Sequence, residues 1–208
     1  MNTISDYISR TTKLLDIIVK YDPDIICLQE ALPCLTENES KLEQYISPFS
    51  HVYVNNTSIR AYGERIFVKK NYKITEKGYK ALRSYQGRVL SWIIVNDIFI
   101  GTFHLESNFP NQKTREKQIE DCLKIATKSN KEKFVFIGDT NFSNSESFPN
   151  EWKDPFIDKP IPTFHHSKKI YSARYDRAYI KNIEISDKIV ISSSELSDHD
   201  GIMITIET

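Results

Sequence analysis

The sequence predicts an α/β fold made of two packed, mostly antiparallel β-sheets flanked by helices, a four-layer α/β sandwich. Three observations carry this reading. Strand-like apolar runs outnumber helix-like ones. Several connections between them are hairpin-like. Polar loops follow the ends of the apolar runs. With 208 residues and no repeat, low-complexity tract or linker, the chain is expected to form one domain over 1–208.

Residues 5–21 are expected to be an amphipathic helix, with Ile8, Leu14, Leu15, Ile18 and Val19 on one side and Asp22-Pro23 as its stop. Asp24-Ile25-Ile26-Cys27-Leu28-Gln29-Glu30 reads as a strand buried on both faces. A shorter helix is expected at 39–46, then strand-like pieces at 51–54 and 65–69 around a turn-rich loop. Runs 88–95 and 98–105 flank Asn96-Asp97, a good two-residue turn. Residues 110–129 predict a polar helix with one apolar stripe: Ile119, Cys122, Leu123 and Ala126. It leads into Phe134-Val135-Phe136-Ile137-Gly138-Asp139-Thr140-Asn141, a strand that ends in an acid and an amide. After an excursion loop at 143–162, strands are expected at 175–180, 188–192 and 202–206.

The 28 basic and 28 acidic residues cancel, so any nucleic-acid surface must be local. Arg88, Lys168, Lys169, Arg174 and Arg177 are the candidates for such local charge. Cys27, Cys34 and Cys122 make no paired pattern, and the first and last read as core, which suggests a reducing, intracellular setting. No apolar stretch approaches the roughly 18 residues of a membrane span, and no signal peptide is visible, so a soluble protein without a membrane partner is expected.

The polar groups that end the apolar strands are Glu30, His104, Asp139, Asn141, Asp198 and His199, while Asp176 sits inside a strand, where a charge needs a partner. Carboxylates without a cysteine set point to a hard cation such as Mg²⁺ or Mn²⁺. Such a cation beside imidazoles and an amide suits hydrolysis of a phosphate ester.

Leu28-Gln29-Glu30, Gly138-Asp139-x-Asn141 and Ser197-Asp198-His199 resemble, in order, the three signature motifs of the endonuclease/exonuclease/phosphatase superfamily. His104-Leu105-Glu106-Ser107, the threonine in Asp139-Thr140-Asn141, Tyr175-Asp176-Arg177 and Arg115-x-x-Gln118 resemble most its tyrosyl-DNA phosphodiesterase 2 branch. The resemblance implies that Glu30 holds the metal with Asp198 in support. Asp139 positions or activates water, Asn141 binds the phosphate, and His199 stabilises the transition state with Asp176 orienting it. His104 and Ser107 touch the scissile phosphate. Phe164 and Tyr175 line a groove for a single-stranded end, with Arg88 adding charge. Family members open with a strand ending in an asparagine that helps set the metal site. Here Met1-Asn2 directly precedes the first helix, so Asn2 is the nearest counterpart and the expected sheet lacks that strand.

The implied reaction is metal-dependent hydrolysis of a 5′-phosphotyrosyl link between protein and DNA or RNA, leaving a 5′-phosphate, by a monomer. The competing readings are another nucleic-acid phosphodiesterase of the same superfamily and a catalytically impaired binding module of that fold.

Overall fold

The computed structural model describes residues 4–31, 49–52, 63–108, 110–167, 170–193 and 196–207. The helix expected at 39–46, Asn2, Lys168 and Lys169 lie outside them. Helix α1 (Ile4–Tyr21) turns Leu15 inward and sets Ile18 against Ile26 and Phe67. Val19 is 60 % exposed and so lies off the apolar face expected for it. The helix ends ahead of Pro23, where Asp22 takes a φ of 44° and its N–H donates to the Ile18 carbonyl at 2.9 Å.

Strand β1 (Ile25–Ala31) pairs antiparallel with β3 (Gly63–Lys69), which also pairs with β2 (Phe49–Val52). The expectation that β1 is buried on both faces is corrected. Only Ile26 and Ala31 are buried, and Ile25, Cys27, Leu28 and Gln29 are half-buried. Both faces have apolar neighbours, Ile25 and Cys27 on one and Ile26 and Leu28 on the other, but among the described residues β1 is an edge strand, and its open edge leaves each face only partly covered.

The second sheet has the order β10 (Asp176–Lys181), β7 (Lys133–Asp139), β6 (Ile98–His104), β5 (Val89–Val95), β4 (Ile74–Ala81). Strand β4 was not expected from its sequence. Asn96 and Asp97 join β5 to β6 with φ of 49° and 60°, the left-handed pair that a tight hairpin requires. One pair departs from the antiparallel rule: β6 and β7 run parallel, because helix α2 (Gln112–Lys128) carries the chain back between them. Two small antiparallel pairs complete the described elements: β8 (Phe164–His165) with β9 (Ser172–Ala173), and β11 (Ile185–Ile191) with β12 (Gly201–Ile206).

Burial follows the alternation of these strands. Ile66 and Val68 of β3 share one apolar cluster with Ile93, Ile98, Ile100, Val135 and Ile180 of the five-stranded sheet. The opposite face of that sheet, with Phe99, Phe103, Phe134 and Phe136, packs on Ile119, Cys122 and Ala126 of α2. The 143–162 excursion is anchored to this face: Phe148, Trp152 and Phe156 are buried, and the Phe148 ring stacks on Tyr179 at 4.1 Å.

Candidate active site

Strand register brings the site together. His104 at the end of β6 is the partner of Asp139 at the end of β7, and Asp139 is the partner of Asp176 at the start of β10. Three residues far apart in sequence thus form one row across adjacent strands. Gly138 makes this row possible. A Cβ there would lie 2.2 Å from the Phe103 carbonyl oxygen, on a backbone with φ of 158°.

The turn that follows β7 is held at two points. Asn141 has a φ of 49°, donates its N–H to Asp139 Oδ1 at 2.8 Å, and donates its side-chain Nδ2 to the Leu105 carbonyl at 3.0 Å. Thr140 is fully buried, and both its N–H (2.9 Å) and its Oγ1 (2.7 Å) donate to the Tyr175 carbonyl. A bulky apolar side chain could not make that second bond. Thr140 therefore ties the Asp139–Asn141 turn to the strand that carries Asp176.

His199 Nδ1 lies 2.8 Å from Asp176 Oδ2, which leaves Nε2 toward Asp139 Oδ2 at 3.9 Å. Burial works against the charged imidazole, but the hydrogen bond and charge of Asp176, with Asp139 adding to them, hold His199 up at about 9. Burial and then the neighbouring Asp176 charge push Asp139 up to about 7, although His199 partly offsets them. His104 bridges the row to the other sheet: Nε2 is 3.3 Å from Asp139 Oδ2 and Nδ1 is 3.7 Å from Glu30 Oε1. Glu30 stands at a β-bulge with φ of 53° and a side chain 57 % exposed, so the irregularity aims its carboxylate outward. Gln29, one residue before, donates to Thr102 Oγ1 at 2.8 Å and anchors that strand end.

These groups line a cleft of about 1050 Å³. Glu30, His104, Asp139, Asn141, Asp176 and His199 all reach it, as do Arg88, Ser107 and Asp198. One wall is aromatic. Phe164 lies 5.2 Å from Tyr175, 5.5 Å from Tyr171 and 5.0 Å from the His199 ring, centroid to centroid. Tyr171 was missed, because nothing in its local sequence places it beside Phe164. Burial draws the Arg88 guanidinium down from its ordinary value despite the carboxylates of Asp139, Glu64 and Glu30.

Two of the basic residues considered for local charge are engaged elsewhere. Arg174 is paired with Asp154, and Arg177 lies over the Phe142 ring at 5.4 Å. Asp139, Asp176 and His199 can each bring one ligand atom within 4.8 Å of the others. Because Asp176 and His199 are already bonded to each other, that trio reads better as a proton-handling set than as a ligand set. Glu30 is the exposed carboxylate on the opposite side of His104.

The endonuclease/exonuclease/phosphatase family model matches residues 5–199. The chain belongs to the endonuclease/exonuclease/phosphatase family. That family comprises hydrolases of phosphoester bonds. No curated protein sequence matches. Among solved structures, tyrosyl-DNA phosphodiesterase 2 (TDP2) of D. rerio, humanised by 14 mutations, is similar with a TM-score of 0.79 and 20% identity, covering 99% of this chain and 94% of that one. TDP2 from C. elegans has a TM-score of 0.77 and 20% identity, covering 99% of this chain and 72% of that chain. D. rerio TDP2 complexed with a single-strand DNA product has a TM-score of 0.79 and 19% identity, covering 100% and 94%. At these identities the likeness establishes a shared fold. Among the described residues no helix is long and apolar enough to cross a membrane.

Proposed function

We propose that this chain is a divalent-metal-dependent phosphodiesterase that hydrolyses a 5′-phosphotyrosyl link to a nucleic acid and leaves a 5′-phosphate. The observation that carries it is the Asp139–His199–Asp176 arrangement, with His104 leading to Glu30, at the foot of an aromatic wall. The likeness to D. rerio TDP2 with a single-strand DNA product supports a single-stranded end as partner. Faces of Phe164 and Tyr175 give unpaired bases a surface to stack on. The cleft draws its lining from Arg10 to Gly201, which supports one catalytic domain, and the apolar clusters on the two faces of the five-stranded sheet support a four-layer sandwich; a monomer is part of this reading.

The donor set fits a hard cation. Glu30 offers an exposed carboxylate on the far side of His104 from the partly ionised Asp139, so two acidic groups flank one imidazole. Glu30 would hold Mg²⁺ or Mn²⁺, with Asp198 and Asn2 in support, and the bound ion would polarise a phosphoryl oxygen. Asp139, whose pKa of about 7 suits a base at neutral pH, takes the proton of the attacking water. His199, charged and held at Nδ1 by Asp176, presents Nε2–H to the phosphoryl oxygen as charge grows there. Asn141, Ser107 and Arg88 bind the phosphate. Tyrosine leaves as a phenolate of pKa about 10, so no strong acid is needed opposite the water.

The test compares turnover of a 5′-tyrosyl oligonucleotide and an abasic duplex in Mg²⁺ or Mn²⁺, with Glu30→Ala and His199→Ala beside the wild type. Cleavage of the tyrosyl substrate alone, lost in both variants, is the expected result. Cleavage of the abasic duplex alone overturns the substrate assignment. Absence of any hydrolysis and of metal binding overturns the catalytic one.

A further inference from the structure

The residues expected to hold the phosphate, Ser107 and Arg88, are both bonded to a side chain that the motifs do not include. Gln86 accepts the Ser107 N–H at Oε1 (2.8 Å) and the Arg88 Nη2–H at the same oxygen (3.1 Å), and donates from Nε2 to Ser107 Oγ (2.7 Å). A carbonyl oxygen has two lone pairs, and those two donors fill both. Ser107 Oγ also donates to Oε1 at 2.9 Å, but as the third donor on an oxygen with two lone pairs. A phosphoryl oxygen in the cleft is the stronger acceptor, so the hydroxyl can turn its proton there while Gln86 Nε2 keeps hold of its oxygen. Arg88 is anchored by Nη2, while its buried Nε has no hydrogen-bond partner among the described residues.

Gln86 itself is rigidly placed. The Ser84 hydroxyl accepts from the N–H groups of Gln86 (2.9 Å) and Arg88 (3.0 Å) and donates to Glu106. Glu106 is wholly buried, and it also accepts from the Tyr85 N–H at 3.1 Å and from Gln118 Nε2 at 3.4 Å. The turn between β4 and β5 is thus clamped to the segment that carries Ser107. Gln86 does not line the cleft, whereas Ser107 and Arg88 do.

We propose that Gln86 is a positioning residue that presets the Ser107 hydroxyl as a hydrogen-bond donor, and the Arg88 guanidinium as a cation, toward one phosphoryl group in the cleft. The assignment rests on the phosphodiesterase reading above, and it deepens that reading by giving the phosphate subsite a fixed polarity.

Gln86→Glu is the informative change. A carboxylate can still accept from the Ser107 N–H and Arg88, but it cannot donate to Ser107 Oγ. The hydroxyl then turns its proton to the carboxylate and is lost to the phosphate. Gln86→Met removes all three bonds without adding charge. The experiment measures kcat/KM on a 5′-tyrosyl oligonucleotide for Gln86→Glu, Gln86→Met, Ser107→Ala and Ser107→Ala with Gln86→Glu, with thermal melts confirming that each is folded. Calorimetry with inorganic phosphate runs in parallel. Each single change is expected to cost about tenfold, the scale of one charge-assisted hydrogen bond. In the Ser107→Ala background, Gln86→Glu adds less than about threefold, because the hydroxyl it would misdirect is gone. Full multiplication of the two losses means that Gln86 acts through charge or folding alone, and overturns the proposal, as does wild-type behaviour of both Gln86 variants. If the wild type turns over no tyrosyl substrate, the functional reading fails and phosphate binding decides this one. Weaker binding by about tenfold in Gln86→Glu and Gln86→Met sustains it. Equal binding, or none in any of the three proteins, overturns it.

Discussion

Asp139→Asn should stabilise the metal-free protein at alkaline pH while abolishing hydrolysis. The carboxyl is buried beside Asp176, and its pKa rises from 3.8 to about 7. Its raised value means that the folded state holds the proton more tightly than the unfolded chain. The stability this brings is complete below about pH 4 and is lost as pH climbs through about 7. A shift of about 3 units at about 1.4 kcal/mol each sets a ceiling of about 4 kcal/mol for the penalty at pH 8. That value already includes the attraction of His199, 3.9 Å away, and relaxation and water entry around the ionised carboxylate reduce the realised penalty further. A net gain of about 2 kcal/mol is therefore expected, which for about 200 residues raises Tm by about 4–8 °C. Asparagine is nearly isosteric and retains an oxygen for the Asn141 N–H. Thermal melts in chelator from pH 4 to 9 should show wild type and variant coinciding near pH 4 and separating through pH 7. A variant less stable than wild type at pH 8, or a difference of one size at both pH values, refutes the reasoning.

Removing Asp176 should act in the opposite sense on His199. With Asp176→Asn the main support of the charged imidazole is lost, so the His199 pKa should fall from about 9 toward its ordinary value, read directly by NMR titration, and kcat at pH 8 should drop about a hundredfold. Arg115 and Glu146 form a bidentate pair at 2.7 and 2.8 Å with side chains 4% exposed each, and Arg115 also donates to the Glu106 carbonyl. Arg115→Ala should cost about 3–5 kcal/mol in urea unfolding, and adding Glu146→Ala should cost less than a second such loss, because the first leaves a buried charge alone. Gly138→Ala should cost about 3 kcal/mol or prevent soluble expression, since the clash is with the Phe103 backbone and not with a side chain that can rotate.

Much of the site was legible because its residues terminate apolar strands. Asp139 and Asn141 follow Phe134–Gly138, Glu30 follows Ile25–Gln29, and His104 closes a run that includes Phe99 and Phe103. An abrupt change from apolar to polar marks a strand end whatever the strand pairs with. Strand β4 was illegible for the converse reason. It is a sheet edge with only Ile74 and Gly78 even half-buried, so no burial pattern imprints its sequence. The two-residue strands β8 and β9 are too short to carry any period.

The sequence by itself determined the longer, buried elements, the motif residues and the kinds of group available, since these depend on local periodicity and side-chain chemistry. Tertiary structure alone decided which of those groups meet. The pairing of Asp139 with His104 on one side and Asp176 on the other is a matter of register between strands 35 to 37 residues apart. The partner of Ser107 lies 21 residues upstream on a turn whose own sequence carries no functional signature. Hydrogen bonds of this kind depend on distances of about 3 Å, and only the packed sheets bring such separate segments that close.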